Sequence, residues 1–432
     1  MAFHISLFLL GCTKDSLNEQ EEYDSNSSSI SKDYVESYYH TSDFRTQSDF
    51  PSQRDLAIFF HLNDDPVIST RTLSPNGGTF LPYSWYGSVM QSFYSTDVAD
   101  ALASENTFDE WRLVSVRITP CPAMGTFLAQ DIDLFCWPTV RLVWQPVVED
   151  VQVSWGRPDY YADDRAIHAI YPLNTRDRDG QVISNAVRND IRSRLESGQV
   201  MSDIPEKVLK DFVVQRDNTA LWLLDETYQL RDPYLPDNSW EGFDVRPELS
   251  NSSQMQQIFE EKLITFLGKT ANKNDLAELT AFSLPEGRSP AHLDTWVFVA
   301  FSGNNGRIFP KDIKVIDRET GDELINIGPS QTASMGREDI KIQEAIEQGN
   351  QRLEESIIED LDDANVLRNE ISNPSSFFVP NTSCASCHKI NDIIFNFHAL
   401  SHFEDQPVTV SQRVEQDVLR DILFSKTLIT ER

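Results

Sequence analysis

The stretch RLVSVRIT, residues 112–119, alternates, with Leu113, Ser115 and Arg117 on one side and Val114, Val116 and Ile118 on the other. Period-two alternation of this kind predicts a strand with one face buried. DLAIFFHL (55–62) and TVRLVWQP (139–146) share its β-branched and aromatic character. DTWVFVAFSGNNGRIF (294–309) reads as strand, Gly-Asn turn and return, and IKVIDRETGDELINI (313–327) as a hairpin turning near Thr320 and Gly321. Other segments carry the helical period. SNAVRNDIRSRLES opens with Ser184 as N-cap and stops at Gly198, while SQMQQIFEEKLITFLG places Met255, Ile258, Phe259, Ile264 and Leu267 near one stripe and ends at Gly268. Residues 337–370 form a long charged helical stretch weakened at Gly349. SQRVEQDVLRDILF closes the chain with Val414, Val418, Leu419, Ile422 and Leu423 on its apolar side.

These elements predict an α+β fold, with β-rich N-terminal and central parts, helical connections and a mostly helical C-terminal region. The organisation expected is a signal segment over 1–12, a flexible Ser-rich and acidic stalk over 13–55, an α+β domain over 56–270, a β-rich domain over 271–335 and a helical region over 336–432. The stalk, with DSNSSSISKD at its centre, is too poor in apolar residues to fold alone.

Charge narrows the partners. The formal net charge is −31 over 432 residues, and acidity is spread along the whole chain. Phosphate binding requires a basic footprint, so nucleic acid is excluded as a partner, as is an anionic membrane surface. A basic redox partner or another envelope protein remains compatible with such a surface.

The chain begins MAFHISLFLLGC. Its apolar run, Ile5 to Leu10, is too short to cross a bilayer. Leu10-Gly11-Cys12 looks like the lipobox of bacterial lipoproteins, in which the cysteine is acylated and becomes the new N-terminus. The segment departs from the usual pattern in having no Lys or Arg before the apolar run. On this reading the protein faces the periplasm or the cell surface, and touches the membrane, most simply the outer membrane, only through its lipid. Thr13 supplies no aspartate-type signal for inner-membrane retention.

The densest chemistry lies in NTSCASCHKI, residues 381–390. Cys384 and Cys387 are spaced to form thioethers with the two vinyl groups of one porphyrin, and His388 is placed to bind its iron. With five Cys and eight His in the chain, composition alone would yield this pentapeptide roughly once in a thousand shuffled sequences. The expected cofactor is therefore one covalent haem c. No methionine follows the motif, since Met335 is the last. His398 and His402, four residues apart, are the nearest candidates for a sixth ligand, with Met335 and His292 more distant. Only 44 residues follow His388, fewer than a free-standing cytochrome module needs, so any haem leans on preceding parts of the chain. The competing reading makes Cys384 and Cys387 a structural disulfide, a redox dithiol or a metal clip in a non-enzymatic interaction protein.

Once Cys12 carries lipid and Cys384 and Cys387 carry haem, Cys121 and Cys136 are left to pair. A disulfide between them would contribute about 3 kcal/mol in the chain-entropy model. Two buried free thiols are the alternative.

Other constellations are weaker. NTRDRDGQ places Asp177 and Asp179 before Gly180 but lacks two carboxylates of a calcium loop, and reads as a turn. No P-loop, Gly-x-Ser-x-Gly, His-Glu-x-x-His or Gly-x-Gly-x-x-Gly occurs, which leaves hydrolase, zincin, NTPase and dinucleotide readings without a motif. His168, in the apolar DRAIHAIYPL, reads as a core histidine.

RITPCPAMG, FCWPTVRLVWQPV, DRAIHAIYPL and FFVPNTSCASCHKI followed by FNFHAL, together with the lipobox-like start, resemble exported bacterial proteins of unassigned function that carry a CASCH segment near the C-terminus. The haem motif itself is similar to that of c-type cytochromes. The resemblance implies thioethers at Cys384 and Cys387 with His388 as proximal ligand, and it implies electron transfer or redox or gas sensing, without naming a substrate. A peroxidase-type activity would need a further redox centre or a distal acid/base, and no residue is identified for either.

Overall fold

Cross-strand pairing between distant parts of the chain builds the centre of the molecule. The computed structural model describes residues 50–62, 66–95, 108–122, 135–150, 159–162, 165–196, 203–250, 252–283, 295–316, 323–334 and 410–430. Its strands are β1 (Ala57–Phe59), β2 (Trp111–Thr119), β3 (Thr139–Asp150), β4 (Asp159–Ala162), β5 (Ala166–Pro172), β6 (Glu278–Ser283), β7 (Thr295–Asn304), β8 (Arg307–Pro310), β9 (Ile313–Ile316), β10 (Glu323–Gly328) and β11 (Ser330–Ser334). Its α-helices are α1 (Gln53–Leu56), α2 (Tyr83–Tyr94), α3 (Ala186–Glu196), α4 (Glu206–Tyr228), α5 (Ser253–Thr270) and α6 (Gln412–Thr430). The fold is α+β.

One antiparallel sheet runs β1-β2-β3-β5-β6-β7-β11, with β4 added to β3 and β8 to β7, while β9 and β10 form a separate ribbon. The β7–β8 hairpin turns at Asn305 and Gly306, both with positive φ (49° and 74°). This two-residue turn matches the right-handed twist of the strands it joins. Next to it, Gly303 donates its N–H to the Ala277 carbonyl at 2.7 Å, and a Cβ there would strike the carbonyl oxygen of Leu276.

Alternation divides the sheet into two unlike faces. Val116 and Ile118, Leu142 and Trp144, Ile167 and Ala169, Leu279, Val297 and Val299 point to the first face, where Trp85 and Phe93 of α2, Leu221 and Leu224 of α4 and Phe259 and Phe266 of α5 complete one apolar cluster. Each large side chain withdrawn from water there contributes roughly 1.5–3 kcal/mol. On the second face the register aligns Ala57, Arg117, Arg141, Ile170, Glu278 and Ser302 in a single row across six strands.

The ranges 56–270 and 271–335, expected to be separate domains, share this sheet, because β5 pairs with β6 from Ala166↔Phe282 to Ile170↔Glu278. Val418 and Ile422 of α6 join the same apolar cluster. The described residues from 50 to 429 accordingly belong to one compact unit. Pairing over such sequence separations leaves no trace in local composition, so nothing in the sequence near residue 270 announces that the two ranges share a sheet.

The long α4 has no counterpart in the expected elements, and neither does α2. Its buried side includes Arg216, Asp217 and Thr219 beside Phe212, Ala220 and Leu224, so polar residues interrupt the helical period that would have betrayed it. Helix α3 begins at Ala186, so Asn185 takes the N-cap position and Ser184 lies one residue earlier, its Oγ accepting the Ala186 N–H at 3.2 Å. In α5 the cap is Ser252, and Leu263 and Phe266 are buried whereas Ile258 faces solvent.

Candidate functional site

Cys121 and Cys136 are bonded to each other, with Cα atoms 4.8 Å apart, inside the ordinary range for a disulfide. The bridge fixes the entry to β3. There Trp137 donates its indole N–H to the Leu173 carbonyl at 2.8 Å, and Phe135 and Trp137 pack with Ile191 of α3 and Phe212 of α4 in a satellite core.

Cys12, Cys384, Cys387, His388, His398 and His402 lie outside the described residues, as do Met335, His292, the stalk and residues 337–370. His168 is described, and its place corrects the expectation of a core histidine. Ile167 and Ala169 take the first face, so His168 between them takes the second, half-buried, with its ring 6.0 Å from that of Phe282. The Asp177 region is a turn, as read. The Asp177 carboxylate accepts the N–H groups of Asp179 and Gln181 at 3.0 and 2.8 Å.

Two charged clusters dominate the described chemistry. In the first, Asp55, fully buried, accepts from Arg231 Nε (3.0 Å) and Nη2 (2.5 Å), Arg246 Nη1 (3.2 Å) and the backbone N–H and Oγ–H of Ser52 (2.8 Å each). Glu248 accepts Nε and Nη2 of Arg246 at 3.0 and 2.8 Å and the Trp240 indole N–H at 3.2 Å. Burial pushes the Asp55 carboxyl up, but the Arg231 hydrogen bonds and the charges of Arg246 and Arg231 outweigh it and hold the group below its usual range. Two acids and two arginines satisfy one another here, so the cluster clamps α1, the end of α4 and the approach to α5 together.

The second cluster lies on the second sheet face and is less complete. Arg117 donates from Nη2 to Asp421 of α6 and from Nη1 to the Leu56 carbonyl at 3.0 Å. Arg413, Asp417 and Asp421 follow one another at helical spacing on α6, and Arg413 Nε meets Asp417 at 3.1 Å. The Arg141 guanidinium, beside Arg117 in the row, has no hydrogen bond among the described residues. Burial pulls its guanidinium below the usual arginine value, with the charges of Asp417 and Glu278 opposing. Burial likewise drives the Asp421 carboxyl up to about 6; Arg117 opposes this and the neighbouring Asp417 adds to it.

Among the described residues, no group of three His, Cys, Asp or Glu side chains could hold a metal ion, and no helix is long and apolar enough to cross a membrane. The second-face arginines were legible only as polar positions within RLVSVRIT and TVRLVWQP. Their alignment needed the register. No family model, no curated protein and no solved structure matches the chain.

Proposed function

We propose that this is a lipid-anchored protein of the bacterial cell envelope that carries one covalent c-type haem and passes single electrons, or senses redox state or a small gas. The observation that carries this reading is Cys384-Ala385-Ser386-Cys387-His388, the chain's one Cys-x-x-Cys-His. The donor set fits the group, since two thiols suit two vinyl carbons and the imidazole suits iron. When bound, the haem supplies a one-electron couple. Cys384 and Cys387 hold it, His388 ligates it, and His398 or His402 is the candidate sixth ligand.

The Cys121–Cys136 bond supports the reading, because disulfides persist in the oxidising compartments where haem is joined to thiols. Leu10-Gly11-Cys12 supports the anchor.

The test is a pyridine haemochrome spectrum with haem staining after denaturing electrophoresis, on protein made in a host with cytochrome c maturation machinery. Staining that survives denaturation and is lost in Cys384→Ser with Cys387→Ser is the expected result. A colourless protein beside a correctly matured control cytochrome would make the cysteines a clip. In the same host, Cys12→Ser should move the protein from the membrane fraction to the soluble one, and continued sedimentation with membranes would remove the lipid anchor.

A further inference from the structure

One end of the sheet gathers the termini of three neighbouring strands. β3 begins at Thr139 opposite Pro172, the last residue of β5, and β6 begins at Glu278 opposite Ile170. Trp137, Asn174 and Asp275 therefore lie just beyond the ladder at the same end, and the first turn of α3 is bonded to them through Asn185 and Arg188.

Two opposite charges face this place without meeting. Arg188 of α3 donates from Nη1 to the Leu173 carbonyl at 2.6 Å, and its guanidinium carbon lies 5.6 Å from the centre of the Trp137 ring. The Asp275 carboxylate accepts the Asn174 side-chain N–H at 3.1 Å through Oδ2. Leu173 and Asn174 are consecutive, so the two charged groups are held by neighbouring residues. Among the described residues they form no ion pair, and neither Asp275 Oδ1 nor the other guanidinium N–H groups of Arg188 have a hydrogen-bond partner. Both residues are partly exposed.

Their supports are built into the fold. Asn174 Oδ1 accepts the Asn185 side-chain N–H at 2.9 Å, and Asn185 Oδ1 accepts the backbone N–H of Thr175 at 2.8 Å, so Asp275 is held by a relay that ends at the start of α3. The carbonyl that holds Arg188 also accepts the Trp137 indole N–H at 2.8 Å. These bonds fix the two charges on separate mounts.

Neither charge is fully compensated. Burial pulls the Arg188 guanidinium down to about 10, with the neighbouring Arg192 adding to the effect and Asp275 opposing it. Burial also pushes the Asp275 carboxyl up, against the Asn174 hydrogen bond and the charge of Arg188. A ligand with a carboxylate for the arginine and an ammonium for the aspartate would satisfy both at once. A simple anion would meet Asp275 as a like charge, and a simple cation would meet Arg188. The net charge of −31 repels anions at long range but does not repel a zwitterion of zero net charge.

We propose that this end of the sheet binds a free α-amino acid, its carboxylate on Arg188 and its ammonium on Asp275. The site uses no residue of the cysteine motif and stands with or without haem.

The experiment is isothermal titration calorimetry of the full-length protein with each common L-α-amino acid in turn. At least one should bind, whereas acetate and methylammonium at the same concentration should not. For the amino acid that binds best, Arg188→Gln and Asp275→Asn should each weaken binding at least tenfold, the scale of one charged hydrogen bond. Its carboxamide, which lacks the carboxylate, should bind the parent at least tenfold more weakly and lose nothing further in Arg188→Gln. That cycle separates contact with the ligand from damage to the fold, and acid against carboxamide on the parent decides the question where a variant does not fold. The site is overturned if no amino acid binds, if acetate binds as well, if the carboxamide matches the acid on the parent, or if affinity is unchanged in either folded variant.

Discussion

Asp55 and Asp421 are both buried carboxylates facing arginine, 0 and 3 % exposed, yet their acidities move in opposite directions. The difference lies in the donors. Asp55 is met by two arginines and by both the N–H and O–H of Ser52, whereas Asp421 has Arg117 and a like charge at Asp417. Withdrawing a carboxylate from water costs several kcal/mol, and only a full set of donors offsets it. The clamp around Asp55 is therefore a permanent part of the fold. The contact that holds α6 to the sheet is, by the same measure, adjustable by pH.

The sharpest way to break this comparison is to remove the better-satisfied acid. Asp55→Ala leaves Arg246 buried with one acid instead of two and strips Arg231 of its carboxylate. The expected loss is about 3–5 kcal/mol in denaturant unfolding at neutral pH, the range for breaking a buried pair. Because the folded-state value lies below the ordinary one, the Asp55 contribution is complete above pH 4 and lost only as pH falls further. A loss under about 1 kcal/mol would put Asp55 in the class of surface ion pairs and dissolve the contrast.

Neither carboxylate was legible as special in the sequence. Asp55 precedes an apolar run like any helix-starting acid, and its partners Arg231 and Arg246 lie far along the chain. Local signals fared better. The alternation of Val116 and Ile118 located the core face of β2, and Asn305-Gly306 sits at the tip of the hairpin predicted for 294–309. Alternation failed at Val114, expected beside Val116. A bulge between Leu113 and Ser115 returns Leu113 to the core and sends Val114 to a small separate cluster with Leu62 and Val147. A single inserted residue reverses the faces, and nothing in RLVSVRIT announces it. In α6 the apolar side was read largely correctly, but Leu423 is 64 % exposed while Asp421 is buried, because Arg117 waits beneath it. The row of Arg117 and Arg141 on the second face depends on cross-strand register, which the sequence does not display.

Asp421→Asn tests the weaker side of the comparison. With a folded value of about 6 against an ordinary 3.8, the folded protein holds a proton between those limits that the unfolded chain has released. Stability from this group therefore falls as pH rises from about 4 to 6, by up to about 3 kcal/mol. The asparagine variant cannot titrate, so its stability should fall less over that window, and at pH 7 it should match or exceed the parent. Chemical denaturation at pH 4, 5, 6 and 7 reads both effects. If the variant is weaker than the parent by more than about 1 kcal/mol at pH 7, the Arg117 ion pair outweighs burial, and Asp421 behaves as Asp55 does.

The smallest effect is the most specific. Asp417 raises the pKa of Asp421 through like charge while forming an i,i+4 pair with Arg413 on the same helix. Asp417→Ala removes both interactions, together with the negative charge that faces the Arg141 guanidinium. Loss of the helix pair costs about 0.3–0.5 kcal/mol, and loss of the repulsion makes the Asp421 carboxylate easier to ionise. The gain at Asp421 opposes the losses at Arg413 and Arg141, so net stability at pH 7 should fall by no more than about 1 kcal/mol. The pH at which stability declines should nonetheless shift downward, because a less repelled Asp421 gives up its proton earlier. An upward shift, or none in a variant whose helix remains intact, would mean that burial and Arg117 alone set the Asp421 value, and that the contrast with Asp55 owes nothing to the charge pattern of α6.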